Sequence, residues 1–125
     1  MTCRLLACAM ALATANPAQA QDHGASKLNG EWTLDLRPSN DAPAYNKSMT
    51  LDITAAGVVR GAFYDNAIED GRAFDGKGRT CFAFHTSDNT GPYQTSGCLV
   101  GDRVEGQSWS EGRKFLLTWT ATRTQ

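Results

Sequence analysis

The side chains best suited to chemistry are few and scattered along this sequence. His23 and His85 lie far apart and no third ligand completes a metal triad, so neither a zinc site nor an H-E-x-x-H helix is spelled out. Glu69 and Asp70 are adjacent and within reach of Arg72, which reads as a solvated loop; paired catalytic carboxylates need a cleft that nothing here indicates. There is no nucleophile elbow and no glycine-rich phosphate loop. No catalytic residue, metal ligand or cofactor motif is therefore assigned, and the chain is expected to be non-enzymatic. What remains is a set of large rings: Phe63, Phe82, Phe84, Tyr93, Trp109 and Trp119. They would either line an apolar binding mouth or simply fill a small core, and both readings stay open at this stage.

Those rings fall on strand-period segments. Trp32, Leu34 and Leu36 alternate with Thr33, Asp35 and Arg37, and Met49, Leu51 and Ile53 alternate with Thr50, Asp52 and Thr54. Between them, residues 37–47 carry Pro38, Pro43 and several Asn, Asp and Ser, the composition of a loop. Ala56-Gly57 marks a turn into a third strand over 58–65, with Val59, Gly61 and Phe63 on one face. Ile68, Arg72 and Phe74 suggest a short fourth strand. Residues 79–86, 92–100, 103–110 and 114–123 supply the rest, separated by turns at 87–91, 101–102 and 111–112. On the last of these, Phe115, Leu117, Trp119 and Ala121 share a face. Trp109 shares strand parity with Arg103, Glu105 and Gln107, so either that strand is bulged or Trp109 points outward. Residues 21–27 read as a loose leader, and no helix-period segment of useful length appears.

The cysteines test the register. A hairpin centred between Asn89 and Thr90 pairs residues whose numbers sum to 179, and Cys81 with Cys98 meets that condition, as do Thr86 with Tyr93 and Phe84 with Thr95. Facing Cα atoms at a non-hydrogen-bonded pair lie about 4.5 Å apart, within the range a disulfide spans. Seven to eight short strands in an antiparallel up-and-down meander hide their edges most simply by closing into a barrel, so the fold class is all-β.

The chain has 125 residues, enough for one domain, with 12 Lys and Arg against 13 Asp and Glu. That balance argues against a nucleic-acid partner, which asks for clustered positive charge, and against a polybasic membrane patch. Residues 1–20 carry Arg4, an apolar run over 5–15 and Ala18-Gln19-Ala20, the three parts of a secretory signal. The run is about 11 residues against the roughly 20 of a bilayer-spanning helix, so no membrane span is expected. The expected organisation is a signal peptide over 1–20 and a single barrel domain over 21–125, periplasmic or secreted. Export removes Cys3 and Cys8, and an even pair in an exported domain reads as one disulfide.

Several segments resemble the avidin and streptavidin family and, more loosely, the wider calycin group of small-ligand barrels. Leu28-Asn29-Gly30-Glu31-Trp32-Thr33-Leu34-Asp35-Leu36 is similar to that family's first strand, where Gly-x-Trp begins the barrel. Val59-Arg60-Gly61-Ala62-Phe63, Gly97-Cys98, Trp109 and the closing Trp119-Thr120-Ala121-Thr122-Arg123 match in order. The resemblance implies a closed small-ligand barrel, with Trp109 and Trp119 standing for two of the family's tryptophans and Ser39 for the serine of its first loop. It does not carry the biotin site. Leu34 and Phe63 stand where polar ligands would be, no Trp lies between Phe82 and Asp88, and no counterpart of the last polar ligand precedes Gln125. Each hydrogen bond so lost to a buried polar ring costs about 1–3 kcal/mol, so tight biotin binding is not expected.

Two functions follow as expectations. One is an exported binding protein holding a small, largely apolar ligand among Phe63, Phe84, Tyr93, Trp109, Trp119 and Ser39. The other is a protein-binding barrel, such as an inhibitor of a protease or lysozyme, acting through the loop 38–46.

Overall fold

The computed structural model describes residues 11–13 and 24–125. The expected signal segment, apart from residues 11–13, lies outside the described residues. Nine strands follow in order: β1 (Gly30–Asp35), β2 (Asn46–Ile53), β3 (Val58–Phe63), β4 (Asn66–Ala67), β5 (Glu69–Gly76), β6 (Arg79–Asp88), β7 (Gly91–Val100), β8 (Arg103–Ser110) and β9 (Phe115–Arg123). All pairings are antiparallel, and β9 returns to β1 while β2 pairs with β3. Eight strands thus close into an up-and-down meander barrel, and the two-residue β4 is an extra strand on β3. Closure leaves no edge of the barrel unpaired, which removes the aggregation hazard of an open sheet.

Alternation sets what each strand turns inward. Trp32, Leu34, Met49, Leu51, Phe82, Phe84, Val104, Trp119 and Ala121 are buried in one core cluster. The eight pairs of β6 and β7 all obey the 179 register, and Cys81 and Cys98 are joined on the outer face beside outward-facing Ala83 and His85.

Three sequence expectations are corrected. The third strand stops at Phe63 rather than at 65, because Tyr64 (φ 51°) and Asp65 (φ 66°) take left-handed conformations and turn the chain into β4. The fourth strand runs the full eight residues of β5. Its register shifts between Glu69 and Arg72 around left-handed Asp70, which places Ile68 against the core and turns Phe74 out, 69% exposed. The leader is in part structured: Gly24–Leu28 form a 3-10 turn, η1, whose Ala25 and Leu28 are buried at one end of the barrel. Leu28 O accepts a hydrogen bond from Trp32 Nε1 at 2.9 Å. Arg123 lies over the Trp32 ring at 4.1 Å and donates to the carbonyls of Lys27 and Asn29, fixing the turn in place. This end is the sealed base.

Candidate functional site

The opposite end stays open. There the ends of β1, β3, β6 and β8 meet the starts of β2, β7 and β9 and the turns at 64–65, 89–90 and 111–114, around a cavity of about 180 Å³. Its two sides differ in chemistry. One is apolar, formed by Leu36, Phe63, Phe115 and Leu117; the other carries the hydroxyls of Thr86, Tyr93 and Ser108. The asymmetry follows from strand identity, since β6, β7 and β8 turn Thr86, Thr95, Ser108 and Ser110 inward where neighbouring strands turn hydrocarbon. The floor hydroxyls are paired: Trp119 Nε1 donates to Ser108 Oγ at 3.1 Å, and Ser108 Oγ lies 2.8 Å from Thr95 Oγ1. Satisfied hydroxyls of this kind hold their donors and acceptors in fixed directions at small cost.

Charged and aromatic groups ring the mouth. Tyr45 and Tyr64 meet edge to face with centroids 6.0 Å apart and their hydroxyls in contact, and Lys47 Nζ stands 5.1 Å from the Tyr64 ring centroid. Tyr64 holds its left-handed backbone at a cost on the order of 1 kcal/mol, and such residues collect at ligand sites. Asp88 Oδ1 accepts from Thr90 N at 2.7 Å and from Thr90 Oγ1 at 2.5 Å. Those bonds, Thr90's side chain first, hold its carboxyl below the usual carboxylate range, and the charge of Arg113 adds to the effect. The Arg113 guanidinium lies 4.7 Å from the centroid of Phe115.

The sequence-derived site residues separate into three places. Phe63 and Tyr93 line the mouth. Phe84 and Trp119 lie beneath it, 5.7 and 5.4 Å from the Phe63 ring, as buried packing. Trp109 and Ser39 are elsewhere. The register through β7, β8 and β9 is unbroken, so no bulge rescues Trp109; it faces outward, 39% exposed, beside Leu116. Ser39 borders an outer-face groove of about 550 Å³ shared with Arg37, Asn40, Gln107 and Thr120. Arg37 there is tied to Asp35 at 2.6 Å, which lowers the Asp35 carboxyl and raises the guanidinium. Tyr64, Arg113 and Phe115 were missed as site residues. The inward parity of Phe115 was readable, but the turns that bring Tyr64 and Arg113 to the rim carry no such signal.

Among the described residues no three His, Cys, Asp or Glu side chains gather as a metal site, and no helix is long and apolar enough to cross a membrane. Compared with known proteins, the chain matches no family model, no curated protein and no solved structure.

Proposed function

We propose that this protein is an exported, non-enzymatic binding protein that takes a small, largely apolar ligand in the open end of its barrel. The observation that carries the reading is the mouth cavity itself, with hydrocarbon on one side and fixed hydroxyls on the other. Eight-stranded barrels have room for packed side chains or one small ligand, and here the base is filled while the mouth is not. The avidin-like segments support the same use of the fold, although the placement of Trp109 and Ser39 outside the mouth argues for a ligand other than that family's. The Cys81–Cys98 bond fits an oxidising compartment and hence export.

Thermal denaturation with and without toluene tests the reading. Toluene is expected to raise the melting temperature of the wild-type chain, and Leu117→Trp, which fills the cavity from β9, is expected to abolish the rise. A wild-type chain indifferent to toluene, and bare in native mass spectrometry when purified gently from its host, would sink it. A protein-binding role is the second reading, favoured by one observation: Trp109 and Leu116 are cross-strand neighbours on the outer face, 39% and 56% exposed. A protein co-purifying in the same spectrum would move the weight to that reading.

A further inference from the structure

The mouth carries two opposite charges that feel each other but share no bond. Asp88 and Arg113 both line the cavity, yet they form no ion pair. Thr90 bonds Oδ1 of the carboxylate, and the Tyr93 hydroxyl beside Thr90 also helps hold its charge. The guanidinium, stacked on Phe115, makes no side-chain hydrogen bond or ion pair among the described residues; Arg113 is held through its backbone N–H, which donates to Ser110 Oγ at 3.2 Å. Elsewhere on the surface this chain does pair such groups, Arg37 with Asp35 at 2.6 Å and Arg103 with Glu105 at 2.5 Å. At the mouth the two instead stand on neighbouring turns of the rim, where Gly91 and Gly112 approach each other, and are left unbonded to one another above the cavity. The third charge nearby, Lys47, faces the Tyr45 and Tyr64 rings rather than the carboxylate.

We infer that the ligand is a small zwitterion, a free α-amino acid with an apolar side chain, whose carboxylate meets Arg113 and whose ammonium meets Asp88 while the side chain enters the cavity. This rests on the small-ligand reading above and names the ligand class of that same site. A guanidinium offers a fork of donors matched to a carboxylate, and a carboxylate with an open oxygen accepts from an ammonium. Both ligand charges stay at the wet rim, so neither has to be stripped of water to seat the side chain. Size sets the side chain. A cavity of about 150 Å³ accommodates benzene, so about 180 Å³ has room for an aromatic ring and its methylene. A side chain of phenylalanine's size therefore fits.

Titration calorimetry on the full exported chain decides the matter with four probes: phenylalanine, its methyl ester, N-acetylphenylalanine and toluene. Phenylalanine is expected to bind at least tenfold more tightly than the ester, which lacks the carboxylate, and than the N-acetyl form, which lacks the ammonium. Arg113→Gln is expected to erase the preference over the ester while keeping that over the N-acetyl form; Asp88→Asn is expected to do the reverse. Arg113→Lys, which keeps the charge, is expected to restore part of the lost affinity. Equal affinity for phenylalanine and both derivatives overturns the inference. Toluene bound without any preference for phenylalanine overturns the zwitterion alone and leaves the apolar site standing. No heat from toluene or phenylalanine overturns both.

Discussion

Trp119 owes its position to two absent side chains. Gly97, Gly106 and Trp119 lie in one register row across β7, β8 and β9, all turned inward, and the indole covers the bare backbone of the two glycines. A Cβ on Gly106 would stand 2.3 Å from Trp119 Cζ2 and 2.7 Å from Ser96 O, so neither ring nor strand has room for it. Gly106→Ala is therefore expected to cost about 1–3 kcal/mol, the ordinary range for overpacking a core. A fall in the urea midpoint with an unchanged slope is the measurement. An unchanged midpoint would show the indole free to move, which its hydrogen bond to Ser108 speaks against. At this scale the sequence was only partly readable. Parity placed Trp119 inside and raised the outward placement of Trp109. It could not show that Trp119 lies below the cavity, because that depends on which opposite positions are glycine.

The β6–β7 hairpin is the element most legible in advance, since turn position and cysteine pairing each fixed the same register. β5 was least legible, for a local reason. One left-handed residue, Asp70, shifts the pairing and inverts the face of everything after it, and Asp gives no reliable notice of that conformation. Two predictions belong to the hairpin. Replacing both Cys81 and Cys98 with Ala is expected to lower stability by about 3 kcal/mol, the chain-entropy worth of a loop of this length, read as a lower denaturant midpoint than the oxidised wild type. The turn adds an acid-sensitive increment. Thr90's bonds hold the Asp88 carboxyl below its unfolded value, so its stabilisation is complete above the unfolded value and is lost as pH falls through the folded one. The exposed carboxylate makes this increment small, under about 1 kcal/mol. Asp88→Asn should flatten the acid limb of the stability curve without moving the neutral plateau by more than that; a limb of unchanged slope would assign acid lability to other carboxylates.

As a whole molecule the barrel is a cup, and its two ends answer different demands. The base is closed by η1, with Leu28 fully buried and the turn held by Trp32 and Arg123. The mouth is walled by side chains such as Phe115 and Leu117 that are only half-buried against the opening. This asymmetry is not legible in the sequence, because alternation says which side chains turn inward and not how far up the barrel their volumes suffice to fill it. The polarity of the cup makes stability and binding separable. Leu28→Ala removes hydrocarbon from a site that cannot collapse or hydrate, so it is expected to cost about 2–5 kcal/mol. Phe115→Ala enlarges a space already open to water, so its cost should be about 1 kcal/mol, near that of an ordinary substitution. Binding should rank the other way: Leu28→Ala leaves the affinity for toluene within about twofold under conditions where the chain is folded, whereas Phe115→Ala, losing one apolar wall, weakens it by about tenfold. Urea midpoints and toluene titrations on the same two variants measure both quantities. Parallel losses in stability and affinity would mean that base and mouth are one continuous core rather than a plug and a site.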